Sequence, residues 1–199
     1  MKRNVTSILA ALSLAAAMMS CAHSANDATL KAALNQTAQM TSSGGLNTVT
    51  DADGAGIAWT LNDGEVQLAR LAVQNASSQA VKDFAQMMIT DHTNANTQLQ
   101  SHGYGKADNP ATVTLTGIVN KQMSMLQAKS GADFDRAYIN SQVDMHMSAL
   151  DTVRGTLLPS ATDPNLRTIL STMNTAVQTH LQRARELQGS TGGTMPMQH

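Results

Sequence analysis

From Asp51 onward the chain carries apolar residues at alternating spacings of three and four, with no stretch that alternates as a strand does. That period commits it to helices packed along apolar seams. Helices are predicted over about 51–75, 78–102, 132–158 and 164–188, with a shorter one over about 112–129. Ser77 and Ser78 can cap the second helix and Gly103-Tyr104-Gly105 ends it. Pro159 ends the third, and Asp163-Pro164 supplies an N-cap with proline at the first helical position. Two hairpins with short links, joined by one long connection, predict an all-α, ferritin-like four-helix bundle whose long crossover carries a short extra helix.

Each seam is interrupted near its middle by one residue that can hold a metal. The first reads Ile57, Leu61, Glu65, Leu68, Ala72, and the second Val81, Ala85, Met88, His92, Ala95, Leu99. The third reads Ile139, Val143, His146, Leu150, Val153, Leu157, and the fourth Leu166, Leu170, Met173, Val177, His180, Ala184, Leu187. Counted from the turns, the interruptions in each hairpin differ in depth by about 6 Å at the helical rise, within side-chain reach. A carboxylate and three imidazoles therefore converge as a candidate set, Glu65, His92, His146 and His180, suited to one iron, zinc or copper ion. The alternative is a hydrogen-bonded polar cluster inside the core, with Glu65 paired to His92 or His180.

Di-iron carboxylate sites need Glu-x-x-His on two helices. Ile89 stands three residues before His92, and Val177 three before His180, so ferroxidase or di-iron oxygenase chemistry is not expected. Methionine offers a copper alternative through Met145-His146-Met147 and the tail Met195-Pro196-Met197-Gln198-His199. Helix neighbours one apart diverge by about 100°, however, so Met145 and Met147 cannot both join His146 at one ion.

Composition narrows the remaining classes. The chain has 199 residues, 42 % of them hydrophobic, enough for one packed core. Aromatics are 3 % and net charge is −1, which argues against a base-stacking surface or a phosphate-tracking groove and hence against nucleic acid. The lone cysteine excludes an internal disulfide, thiolate zinc sites and Cys-x-x-Cys redox chemistry.

Residues 1–20 read as a secretory signal, with Lys2 and Arg3 ahead of an apolar run from Ile8 to Met19. That run is too short to span a membrane, which takes roughly 20 apolar residues. Met18-Met19-Ser20-Cys21 approximates a lipoprotein box, making Cys21 a lipidation candidate; ordinary cleavage after Ala22 or Ser24 is the alternative. The expected location is the periplasm or outer membrane, with membrane contact only through such an anchor. Residues 21–50 read as a low-complexity tether or loosely attached helix, 51–188 as the bundle, and 189–199 as a disordered tail.

Asn62-Asp63-Gly64-Glu65, Met88-Ile89-Thr90-Asp91-His92-Thr93, Gly131-Ala132-Asp133-Phe134-Asp135-Arg136-Ala137-Tyr138 and Thr179-His180-Leu181 occur in that order. In these the chain resembles the bacterial family called domain of unknown function 4142, over about Asp51 to Leu187. The resemblance implies an envelope location and a ferritin-like helical bundle, and no established activity. Glu65, Asp91, His92, Asp135, Tyr138, His146 and His180 match its pattern.

Asp91 points about 100° round the helix from His92, so it either orients a histidine on another helix or forms a surface or interhelical salt bridge. Asp135 stands in the first turn of its helix, about 16 Å from His146, and reads with Tyr138 as a packing and hydrogen-bond anchor. No nucleophile constellation, phosphate loop or paired-carboxylate cleft is present, so the expectation is an exported, non-enzymatic envelope protein acting in binding or stress protection. The alternatives are a metal-binding bundle using the Glu/His cluster, and a module that binds a protein partner, unidentified by the sequence, through its mildly acidic exterior.

Overall fold

The computed structural model describes residues 25–40 and 49–190. The expected signal, Cys21 and the tail from residue 191 lie outside the described residues, while Gly189 and Ser190, expected in the tail, close the last helix. Among the described residues the chain is all-α, with no strand. The helices are α1 (residues 25–40), α2 (Asp51–Asn75), α3 (Gln79–Ser101), α4 (Pro110–Gln127), α5 (Gly131–Thr152), α6 (Leu158–Ser160) and α7 (Pro164–Ser190). None is long and apolar enough to cross a membrane.

Local chemistry sets most of the ends. Thr50 caps α2 by accepting from the Asp53 backbone, and Asn109 with Thr112 forms a capping box ahead of Pro110 at the start of α4. Asp163 accepts from the Asn165 backbone at 2.7 Å at the start of α7. Between α5 and α6 the backbone widens into a π-helix over Val153–Leu157. Pro159 has no N–H and crowds the carbonyl four residues back, and the π turn takes up that misfit; helix therefore runs through to Ser160 instead of ending at Pro159.

α2 packs along α3 and α5 along α7; α3 meets α7, α2 meets α5, and α4 lies across α2 and α5. Phe84, Phe134 and Tyr138 fill one end of the core, with ring centroids 6.2 Å apart in both the Phe84–Tyr138 and Phe134–Tyr138 pairs. Ile57, Leu99, Leu157, Leu166 and Leu170 fill the other end. On α2 and α3 a polar layer of Asn62, Glu65, His92 and Asn96 separates the two ends.

Residues 25–40 form the helix that was one of the two readings, but it is docked in the core and is neither a tether nor loosely attached. Leu30, Ala33, Leu34 and Ala38 are buried in the second end of the core, and Thr37 Oγ1 accepts from the Ala111 backbone of α4 at 3.2 Å. The small and polar residues around that stripe gave the segment the composition of a linker, although its spacing is that of a docked helix.

Two glycines on α2 permit close approach. A methyl on Gly64 would sit 2.5 Å from Val119 of α4. One on Gly56 would sit 2.2 Å from the Ala107 side chain and 2.8 Å from its backbone nitrogen. Because backbone cannot swing aside as a side chain does, Gly56→Ala is expected to destabilise by about 1–3 kcal/mol, measured by urea unfolding.

Asp135 supplies a cap that the sequence assigned to serine. Ser78 at the start of α3 makes no side-chain cap bond. Instead Asp135 of α5 accepts from the Ser77 and Ser78 backbone N–H groups, each at 2.9 Å, and from the Ser77 hydroxyl. A buried carboxylate at a helix N-terminus is favoured by both the hydrogen bonds and the dipole. Asp135→Ala is expected to cost roughly 2–4 kcal/mol in unfolding free energy, with Asp135→Asn recovering part of it.

Candidate metal centre

α3, α5 and α7 each bring one histidine to the middle of the core. His92, His146 and His180 are 6 %, 1 % and 2 % exposed. Their ring centroids are 6.0 Å (92–146), 5.3 Å (92–180) and 5.5 Å (146–180) apart. One ring nitrogen from each lies within 4.8 Å of those of the other two.

Every ring is held by one nitrogen and leaves the other without a partner. His92 Nδ1 donates to Asn62 Oδ1 at 2.9 Å, and Asn62 in turn donates to Asn96 Oδ1 at 2.7 Å. His146 Nδ1 donates to the backbone carbonyl of Gln142 at 2.8 Å, and His180 Nε2 donates to Asp91 Oδ2 at 2.9 Å. Those acceptors fix the tautomers, so His92 Nε2, His146 Nε2 and His180 Nδ1 keep lone pairs that meet no donor although they are buried. An unmet buried polar atom ordinarily costs about 1–3 kcal/mol, and three sit together here.

Electrostatics keeps the rings neutral. Burial holds His92 well below the ordinary 6.5, helped by the neighbouring histidines. It lowers His146 to about 4, against the pull of the Gln142 carbonyl, and lowers His180 despite Asp91 beside it. Neutral imidazole with its second nitrogen anchored to a carboxylate, amide or carbonyl is the form that ligates metals.

Glu65 departs from its expected role. Its carboxylate is not part of the close set; Oε1 lies 3.7 Å from His146 Nδ1, the nitrogen already committed to Gln142, and Oε2 has no partner. Burial pushes Glu65 up to about 7, with Gln142 and His180 pulling the other way. Asp91 reaches across to His180 on another helix, one of the two roles its position allowed. Tyr138 packs as expected, but its hydroxyl makes no hydrogen bond, and burial together with Glu65 raises it well above 10. Met147 Sδ lies 3.7 Å from Arg185 Nη2, while Met145 lines a cavity.

Asn62 and Asn96 were not singled out by the seams. They are buried where Leu61 and Ala95 were expected, and those two are half-buried. The signal available was register: Asn62 precedes Glu65 by three residues and Asn96 follows His92 by four, so each shares a face with its neighbour in the layer.

The family model described as Domain of unknown function (DUF4142) matches residues 35–187. No curated protein matches the sequence. Among solved structures, the chain is similar to the crystal structure of a DUF305 protein from Streptomyces coelicolor, named as a candidate secreted protein. The TM-score is 0.62 at 12 % identity, over 75 % of this chain and 98 % of that one, a likeness of fold.

Proposed function

This chain belongs to the DUF4142 family, and on that premise we propose that it is an exported, ferritin-like bundle holding one divalent first-row metal ion on His92, His146 and His180. The observation that carries this reading is the trio of buried, neutral imidazoles, each anchored through one nitrogen and each leaving the other unpaired. Three nitrogen ligands with a fourth position open suit zinc most simply, and iron or copper also accept such a set. Zinc–nitrogen bonds of about 2.0–2.1 Å in a tetrahedral site place ligand nitrogens about 3.4 Å apart, so loading contracts the cluster.

The pairing of α2 with α3 and α5 with α7, the α4-bearing crossover and the likeness to the Streptomyces structure support the bundle reading. The leader at 1–20 supports export, and Cys21 is the proposed anchor, checked by the mass of the mature N-terminus. Ion binding is a stoichiometric role and assigns no turnover.

The test is zinc added to chelator-treated protein. At one hundred times Kd the ion contributes about 2.7 kcal/mol, a Tm rise of roughly 5–10 °C for a chain of this size. A Tm indifferent to zinc, iron and copper contradicts the reading. Asp91→Ala removes the anchor of His180 from a half-exposed position and is expected to weaken zinc affinity about 10–100-fold in a competition titration, with the fold intact.

A further inference from the structure

The polar layer forms part of the wall of a cavity of about 450 Å³ lined mainly by α1, α2, α4 and α5, with His92 of α3 and Met173 and Val177 of α7. Its apolar wall includes Leu61, Leu115, Val119 and Leu126. Leu30 and Asp27 of α1 also line it, and Ser148 of α5 donates to Asp27 across the lining. An engineered apolar cavity of about 150 Å³ stays dry and binds benzene. A space three times larger takes a two-ring molecule.

One part of the lining has different chemistry. Glu65 Oε2 and the Nε2 atoms of His92 and His146 are buried without partners. Both imidazole nitrogens only accept, because each ring donates through its other nitrogen. A purely apolar occupant leaves these atoms unmet, and a carboxylate head would meet Glu65 and two lone pairs. A neutral hydroxyl donates once, and Glu65 Oε2 is the one of these acceptors that an ion on the histidines would leave unmet.

We propose that this cavity is a binding site for one small, neutral, predominantly apolar molecule of about two rings, whose single hydroxyl donates to Glu65 Oε2. The bond to Glu65 does not depend on the metal, because Glu65 stands outside the histidine set.

The probe is 2-naphthol, titrated by its fluorescence into the full mature protein as purified, with naphthalene as the analogue lacking the hydroxyl. The expected result is one saturable site per chain, with 2-naphthol about tenfold tighter than naphthalene. Glu65→Leu should reduce that preference to within about threefold while naphthalene still binds. Ile118→Trp fills the space from a half-buried position on α4 and should remove binding of both; Ala149→Phe serves if that variant does not fold. Absence of saturable 2-naphthol binding, equal affinity for naphthalene, or unchanged binding in a folded cavity-filling variant overturns the proposal. Metal content measured on the same sample separates its failure from failure of the metal reading.

Discussion

His146→Ala is expected to abolish the response to zinc: an ion concentration that stabilises the parent protein by about 2.7 kcal/mol should leave the variant's Tm unchanged. His146 is the most informative of the three histidines. It is 1 % exposed, its Nδ1 is held by the Gln142 carbonyl within its own helix, and its ring stands about equally far from the other two. Removing it leaves two imidazoles on α3 and α7, too few for a closed structural site or a three-ligand open one. The metal-free variant is also informative. Truncating a buried ring opens a cavity, which costs stability, while deleting one unmet lone pair returns part of that cost. The zinc-dependent shift, not the absolute Tm, is therefore the readout; a variant that keeps the full shift excludes His146 as a ligand.

Metal-free protein is expected to lose stability as pH falls from 6.5 towards 4. His146 has a native pKa of about 4 against the ordinary 6.5. Between those values the unfolded chain binds more protons, so unfolding is favoured as pH drops, by about 3 kcal/mol for this residue alone. His92 acts in the same direction. Glu65 opposes them. Its pKa is raised from 4.5 to about 7, so its contribution is complete below 4.5 and disappears as pH rises through 7. Glu65→Gln removes only that opposing slope. Relative to the parent, the variant should gain about 3 kcal/mol between pH 4.5 and pH 8, read from urea midpoints at each pH. A difference between the two proteins that stays constant across that range contradicts the assigned burial of the carboxyl.

Much of the architecture was legible because its punctuation is chemical. Asp163-Pro164 marks the start of α7, and α2 occupies the predicted 51–75. Asn109-Pro110, which starts the crossover helix two residues ahead of the predicted 112, is punctuation of the same kind that was not read. The three histidines were legible for a related reason: a polar residue in an otherwise apolar seam is visible against its neighbours. What the seams could not resolve is which of two adjacent positions turns inward. Residues about 100° apart on a helix are nearly equal candidates for a shallow position, and Asn62 and Asn96 took the places expected for Leu61 and Ala95.

Partners distant in sequence were hidden as well. The dipole argument explains a carboxylate at the start of α5, but Asp135 serves the start of α3, 57 and 58 residues earlier. Glu65 shows the same limit in another form. Matching depth brought it to the correct layer, whereas its place beside the committed nitrogen of His146 depends on how α2 is rotated against α5. Burial of α1 was obscured by composition, since alanine and threonine supply much of the face it docks.

The most direct test of the metal reading is elemental analysis of the mature protein, exported, purified without chelator, and compared with His92→Ala and His180→Ala prepared in the same way. The account predicts close to one equivalent of zinc, iron or copper per chain, lost in both variants. A protein that carries none of them, and takes up none on reconstitution, contradicts it and makes the three histidines a polar layer of the core.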